Sequence, residues 1–150
     1  MHTDEPAGAQ RPPGKAPGAV LLGRMSVPSG LDAPRAARAA VRRWLPDSVP
    51  RAVLQDAQLL ISELVSNSVE HAGRAGAAVT VSAGTTDGAV WFDVADTGGR
   101  GSVARRPPQG TGGMGLNVVD AAASRWGTTN GDGTHVWFEL PLRRRSLVTE

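Results

Sequence analysis

The chain of 150 residues contains no cysteine and no tyrosine, and it has one lysine against fifteen arginines. Without cysteine it forms no disulfide, no thiolate zinc site and no cysteine nucleophile. No apolar run reaches the ~18 residues that a membrane-spanning helix needs, and the first twenty residues lack the apolar core of a secretory signal. We therefore expect a soluble cytoplasmic protein that does not enter a membrane.

Composition and charge indicate one globular domain rather than a disordered or strongly basic chain. Apolar residues make up 40% and charged residues 20% of the sequence, which is the globular range. The net charge is +2, and residues 20–142 are neutral, so the excess lies in the tail, in Arg143, Arg144 and Arg145. This pattern does not indicate a nucleic-acid-binding face, although a salt-dependent contact of that tail with DNA stays as one hypothesis.

Three segments are predicted along the chain. Residues 1–19 contain four prolines and almost no large apolar side chain, which predicts a disordered N-terminal extension. Residues 20–142 alternate between helical and strand periodicity and form the predicted folded domain. Residues 143–150 are predicted to be a basic flexible tail.

Periodicity within the domain predicts three helices and two hairpins. Helical spacing indicates helices from about residue 32 to 46, from 50 to 72 and from 116 to 124. Alternation indicates strands at 20–27, 77–83, 90–94, 125–129 and 134–140, with a turn at 85–88. The tryptophans are predicted at core-facing or sheet-edge positions. We expect an α+β two-layer sandwich, in which a mixed, mostly antiparallel sheet carries helices on one face.

A stripe of polar side chains runs along the second predicted helix. Glu63, Asn67 and His71 are four residues apart, so they lie on one side, at the border of the apolar arc. A functional interpretation makes Glu63 a general base, Asn67 an oxygen ligand of Mg²⁺ and His71 a neighbour of phosphate. An ordinary amphipathic helix with a polar edge explains the same spacing.

An acidic residue follows the strand predicted at 90–94. A carboxylate at Asp96 could accept a hydrogen bond from the exocyclic amine of adenine, and Gly98 would let the ring approach the backbone. A simple strand-ending turn accounts for the same residues.

Glycine is concentrated after this turn, with seven of the nineteen glycines in residues 98–115. Glycines before a helix can present backbone N–H groups to a polyphosphate at the helix N-terminus. The residues before and after these glycines exclude a dinucleotide-binding fingerprint and a P-loop. A flexible connector remains an alternative to a phosphate-binding loop. The candidate phosphate-binding residues are Gly110, Gly112, Gly113, Met114, Gly115 and Leu116.

Four stretches in this order resemble the motifs of the GHKL ATPases, the superfamily of gyrase, heat-shock chaperone, histidine kinase and mismatch-repair ATP-binding domains. Residues 63–72, Glu-Leu-Val-Ser-Asn-Ser-Val-Glu-His-Ala, resemble the asparagine box, and residues 96–98 the adenine motif. Residues 110–116 resemble the phosphate loop, and 133–141 the closing strand. The resemblance covers about residues 20–142.

Within the superfamily, the chain resembles the bacterial anti-sigma-factor serine/threonine kinases. The asparagine box and Trp126-Gly127 with the strand at 136–141 carry this likeness. A histidine kinase needs an upstream phospho-acceptor histidine, and the only upstream histidine is His2. Transducer-linked ATPases need a catalytic lysine, and the only lysine is Lys15.

The resemblance implies a set of roles for these residues. ATP and Mg²⁺ are the implied cofactors, with Asn67 holding the metal. Asp96 and Thr134 would select adenine, the glycines would hold phosphates, and residues 99–109 would act as a lid. Glu63 would take the proton of a partner's Ser or Thr hydroxyl. The arginines that could neutralise the transferred charge are Arg100, Arg105 and Arg106.

The resemblance also implies partners. A sigma factor, an anti-anti-sigma protein or both are expected, together with a homodimer, and no direct contact with nucleic acid. The alternative function is a nucleotide-gated regulatory binding module that sequesters a sigma factor or another regulator without phosphotransfer.

Overall fold

The computed structural model describes residues 12–72, 77–96, 119–130 and 134–142, without the side chains of residues 71, 72, 129, 130 and 134. A 3₁₀ turn at Pro13–Lys15 comes first, and residues 119–122 form a short helical piece within the predicted third helix. The main elements are β1 (Val20–Pro28), α1 (Ala33–Trp44), α2 (Arg51–Ala72), β2 (Ala78–Thr86), β3 (Ala89–Asp96), β4 (Arg125–Asn130) and β5 (Thr134–Pro141).

The five strands form one sheet in the order β1-β2-β3-β5-β4. All four pairings of these described strands are antiparallel. The predicted α+β two-layer fold with helices on one face is confirmed, and the parallel pairing that a mixed sheet would require is not found among these strands. Strand β3 lies in the middle of the sheet, so its end is flanked by a strand on each side.

Both helices pack their apolar stripes on one side of the sheet, here called the helix face. Helix α1 buries Ala37 and Val41, and α2 buries Leu60, Ile61 and Leu64 at helical spacing. Pro34 stands in the first turn of α1 as predicted, while the predicted capping residue Asp32 makes no side-chain cap. Helix α2 begins directly after Pro50, the boundary that the sequence indicated.

The helix face of the sheet supplies the other half of the core. Alternate residues of β2 and β3, including Val81 and Phe92, are fully buried against the helices. The rings of Phe92 and Phe138 stack with centroids 4.9 Å apart and planes 22° apart. This stack joins β3 to β5 at the centre of the core.

The first hairpin is tighter than its sequence suggested. The predicted turn covers residues 85–88, but Thr85 pairs with Val90 and Thr86 with Ala89, so both strands extend further. The turn shrinks to Asp87 and Gly88, and Gly88 adopts a positive φ of 81°, which glycine allows without steric cost. Antiparallel pairing therefore continues to the end of the hairpin.

The opposite side of the sheet, here called the outer face, is partly covered by the start of the described chain. Pro13 is buried, and the 3₁₀ turn contacts β2, β3 and β5. The disorder predicted for residues 1–19 is therefore wrong for residues 12–19, because the sheet offers apolar side chains against which this segment packs. Residues 1–11 lie outside the described residues, as does the predicted tail at 143–150.

Trp91 and Trp137 account for the apolar character of the outer face. Trp44 and Trp126 pack against the core as predicted, but Trp91 and Trp137 lie on the outer face, at positions that alternate with core residues. They are nevertheless buried, with relative exposures of 5% and 0%. Hydrophobicity alone did not reveal which side of the sheet these rings would occupy.

Candidate functional site

A buried carboxylate marks the end of the central strand. Positions 90, 92 and 94 of β3 face the helices, and Asp96 is the next position of the same alternation. Its relative exposure is 4%, and it pairs in register with Val79 of β2 and Thr134 of β5. The strand therefore places an acceptor group at the edge of the helix face, where apolar side chains would otherwise continue.

Helix α2 lies over this carboxylate. The hydroxyl of Ser68 donates to Oδ2 of Asp96 at 3.5 Å. This long hydrogen bond joins the helix that carries the asparagine stripe to the strand that carries the candidate adenine acceptor. Two of the predicted motifs, far apart in the sequence, meet at this point.

The polar stripe is only partly within the described side chains. Glu63 and Asn67 are half-buried on α2, neither fully solvated nor enclosed in the core. Asn67 immediately precedes Ser68, and Glu63 lies about 7.5 Å from Ser68 along the helix axis, at 1.5 Å per residue. His71 belongs to the last turn of α2, but its side chain lies outside the described residues.

The predicted phosphate-binding residues belong to a part of the chain that the structure does not describe. Residues 97–118 lie outside the described residues, which covers every glycine proposed to hold phosphate and the three candidate arginines. Thr134 is described only by its backbone register opposite Asp96. Their roles stay predictions.

Ser68 is a site residue that the spacing argument missed. It lies four residues after Leu64 and seven after Ile61, so it continues the buried arc of α2 rather than the stripe of Asn67. A hydroxyl on an otherwise apolar arc is the pattern that could have identified it. Its partner on β3 explains why a polar group is tolerated there.

The chemistry of this arrangement is that of a recognition site for a hydrogen-bond donor. A carboxylate offers only acceptor positions, and burial strengthens its hydrogen bonds to a ligand that excludes water. The amide oxygen of Asn67 is a ligand type that Mg²⁺ accepts. Within the described ranges, no group of three or more His, Cys, Asp or Glu residues could hold a metal ion.

An ionisable pair lies on the outer face. Nδ1 of His135 and Oδ1 of Asp93 are 3.1 Å apart. The hydrogen bond to Asp93 raises the pKa of His135, against the opposing effects of burial and of the positive charge of Lys15. Because Asp93 and Asp96 stand on opposite faces of β3, this pair is separate from the carboxylate beside α2.

Glu139 and Arg125 form a bidentate ion pair. They face each other across β4 and β5, with two hydrogen bonds of 3.1 and 2.9 Å. This bidentate contact raises the pKa of Arg125, whose guanidinium also lies 5.2 Å from the ring centroid of Trp137. The pair links the edge strand β4 to its neighbour β5.

Comparison with known proteins agrees with this geometry. Residues 27–140 match the family model described as the histidine kinase-like ATPase domain, a span that runs from the end of β1 almost to the end of β5. A search of curated proteins returned no match. Among the described helices, none is long and apolar enough to cross a membrane.

Proposed function

Because the chain belongs to the family of histidine kinase-like ATPase domains, we propose that it is an ATP-binding serine/threonine protein kinase of the anti-sigma-factor type. The family indicates ATP binding; the kinase activity, the metal and the partner are our proposal. In it, the protein binds a sigma factor or an anti-anti-sigma protein and transfers the γ-phosphate of ATP to a Ser or Thr of its regulatory partner.

The contact between Ser68 and Asp96 is the observation that carries this proposal. It brings the helix of the asparagine box next to the buried carboxylate, so one ligand could touch both. The motif resemblance rests on residue types and their order, and the packing of α2 over β3 adds that two of the motifs lie side by side. Both support a nucleotide site at the end of β3.

Nucleotide selection would come from the strand end. The Asp96 carboxylate would accept a hydrogen bond from the exocyclic amine of adenine, which guanine does not present at that position. Thr134, its register partner on β5, would support this contact. The hydroxyl of Ser68 would hold Oδ2 of Asp96 in place.

The helix would supply the groups for phosphate transfer. Bound Mg²⁺ would neutralise charge on the triphosphate, and the amide oxygen of Asn67 would hold it. The Glu63 carboxylate would accept the proton of the partner's hydroxyl as the new oxygen–phosphorus bond forms. The bond between the γ-phosphorus and its bridging oxygen breaks, and ADP leaves. Both residues are half-buried on one side of α2, within reach of a cleft and of solvent.

Calorimetric titration with ATP and Mg²⁺ tests the nucleotide site. We expect Asp96→Asn to weaken binding by about 10- to 100-fold, because hydrogen bonds to a charged group contribute about 1.5–3 kcal/mol. Asp93→Asn is the matched control, since it makes the same change on the same strand but on the outer face. Equal affinity in all three proteins would contradict the site.

Phosphotransfer from radiolabelled ATP to candidate anti-anti-sigma proteins tests the kinase activity. We expect Glu63→Gln to bind ATP normally but to lose transfer, by about 100-fold or more for a general base. Glu70→Gln, an exposed position on the same helix, is the control. If the wild type binds ATP and retains a regulator but transfers no phosphate to it, the nucleotide-gated binding module is the correct function.

A further inference from the structure

The outer face of the sheet contains a cavity of about 580 Å³ that the proposed function does not use. The 3₁₀ turn lines one side, and the strands form the floor. Asp93 and Ser82, which line it, are register neighbours on β3 and β2 and point away from the helices. The sheet therefore separates this cavity from Asp96 and helix α2.

Its size is that of a site for a small molecule, since ligand pockets measure about 300–1,000 Å³. Two indoles, Trp91 and Trp137, line it, and each lies against a glycine of the neighbouring strand. A Cβ at Gly84 or Gly127 would come closer than 3.0 Å to those rings. The absence of side chains at these positions lets both rings lie close to the sheet, and the 3₁₀ turn covers Trp91, since a Cβ at Gly14 would lie 3.1 Å from its ring.

The charges around the cavity are predominantly positive. Lys15 and Arg24 line it, and both are exposed. Asp93, the carboxylate in the lining, is engaged by His135 at 3.1 Å. In the portion of the chain that the structure describes, neither Lys15 nor Arg24 forms an ion pair. The cations on the 3₁₀ turn and on β1 are thus available to a ligand anion.

We propose that this cavity binds a small organic anion, a carboxylate or phosphate carried on an apolar group. Lys15 and Arg24 would contact the anion by charge-assisted hydrogen bonds. Leu21, an exposed lining residue, and the small accessible part of Trp91 would contact the apolar part. Because Lys15 lies on the segment at 12–19 and Arg24 on the sheet, a bound anion would join the two.

Titration of the full chain with matched probes tests this site. The probes are benzoate and phenyl phosphate, which distinguish the two anions, and benzylamine, a cation of similar size. Binding is followed by tryptophan fluorescence and calorimetry. We expect saturable binding of at least one anion below about 10 mM and no saturable binding of benzylamine. Absence of anion binding, or equal binding of benzylamine, overturns the proposal.

Variants locate the bound anion. We expect Lys15→Gln and Arg24→Gln each to weaken anion binding by several-fold, and the double variant by about tenfold or more. Arg35→Gln, an exposed arginine of α1, removes the same charge from the other side of the molecule and should leave affinity within about twofold. An equal loss in Arg35→Gln, or none in the double variant, overturns the proposal. Circular dichroism verifies that each variant is folded.

ATP titration of the same proteins separates this site from the nucleotide site. We expect the double variant to bind ATP as the wild type does, because the cavity and Asp96 lie on opposite faces of the sheet. If the wild type does not bind ATP, the proposed function is refuted, whereas the anion-binding proposal is unaffected. Competition between ATP and the anion probe for one site would refute the separate cavity site.

Discussion

Replacement of Gly84 by alanine should destabilise the fold by about 2 kcal/mol. Gly84 is buried on β2, and an added Cβ would come closer than 3.0 Å to the carbonyl oxygen of Val20 and to the ring of Trp91. The first neighbour is backbone of the paired strand, and the second is held by its indole N–H, which donates to the carbonyl oxygen of Thr85 at 3.3 Å. Neither can move without disturbing the sheet.

The magnitude follows from two opposing effects. Overpacking of a buried position costs about 1–3 kcal/mol, and contact with backbone places this site at the upper end. Alanine restricts the unfolded chain more than glycine does, which returns about 0.5–1 kcal/mol. The expected net loss corresponds to a fall in Tm of about 4–8 °C for a chain of this size.

Thermal and urea unfolding, followed by far-ultraviolet circular dichroism, measures this loss. Gly30→Ala is the matched control, because its Cβ would meet no atom within 4 Å and its φ is not positive. We expect this control to be neutral or slightly stabilising. If Gly84→Ala unfolds at the same temperature as Gly30→Ala, the close packing of β1, β2 and Trp91 is refuted.

Three further predictions concern single contacts. Ser68→Ala should raise the Kd for ATP by less than about fivefold in calorimetry, because its hydrogen bond to Asp96 is long; a loss as large as that of Asp96→Asn would contradict this. His135→Gln should lose stability relative to the wild type at low pH. The raised pKa of His135 makes its stabilisation complete below its unfolded pKa, and the stabilisation disappears as the pH rises through the folded value. This half-exposed pair contributes about 0.2–1 kcal/mol, and urea unfolding between about pH 5 and 8 measures it; a difference that grows with pH would refute the sign. Arg125→Lys should lower stability by about 1 kcal/mol by urea unfolding, since lysine cannot form the bidentate contact with Glu139, and an unchanged midpoint would show that the contact is not stabilising.

The layered fold could be predicted because local patterns agree with the tertiary structure. The apolar stripe of α2 and the alternation in β2 and β3 each specify one buried side, and both sides meet in one core. The ends of the first hairpin could not be predicted as well, because Thr85 and Thr86 resemble turn residues in isolation. Their pairing with β3 decides their conformation, and pairing depends on residues elsewhere in the chain.

The site was predictable where a motif has a fixed spacing and not where it depends on packing. Asp96 follows a clear strand pattern, so its place at the strand end was expected. Ser68 contacts Asp96 because α2 lies over β3, and the sequence indicates this residue only as a hydroxyl on an otherwise apolar arc. The burial of Trp91 and Trp137 likewise depends on a segment, residues 12–19, whose composition indicated no packed structure.

The pairing of Asp96 with Thr134 has a consequence for how this protein could change during evolution. Backbone hydrogen bonds of β3 and β5 fix these two positions side by side, whatever the length of chain that connects them. Doubling a loop raises its closure entropy cost by only about 0.6 kcal/mol. The register of Asp96 and Thr134 should therefore tolerate changes in the number of residues between β3 and β5.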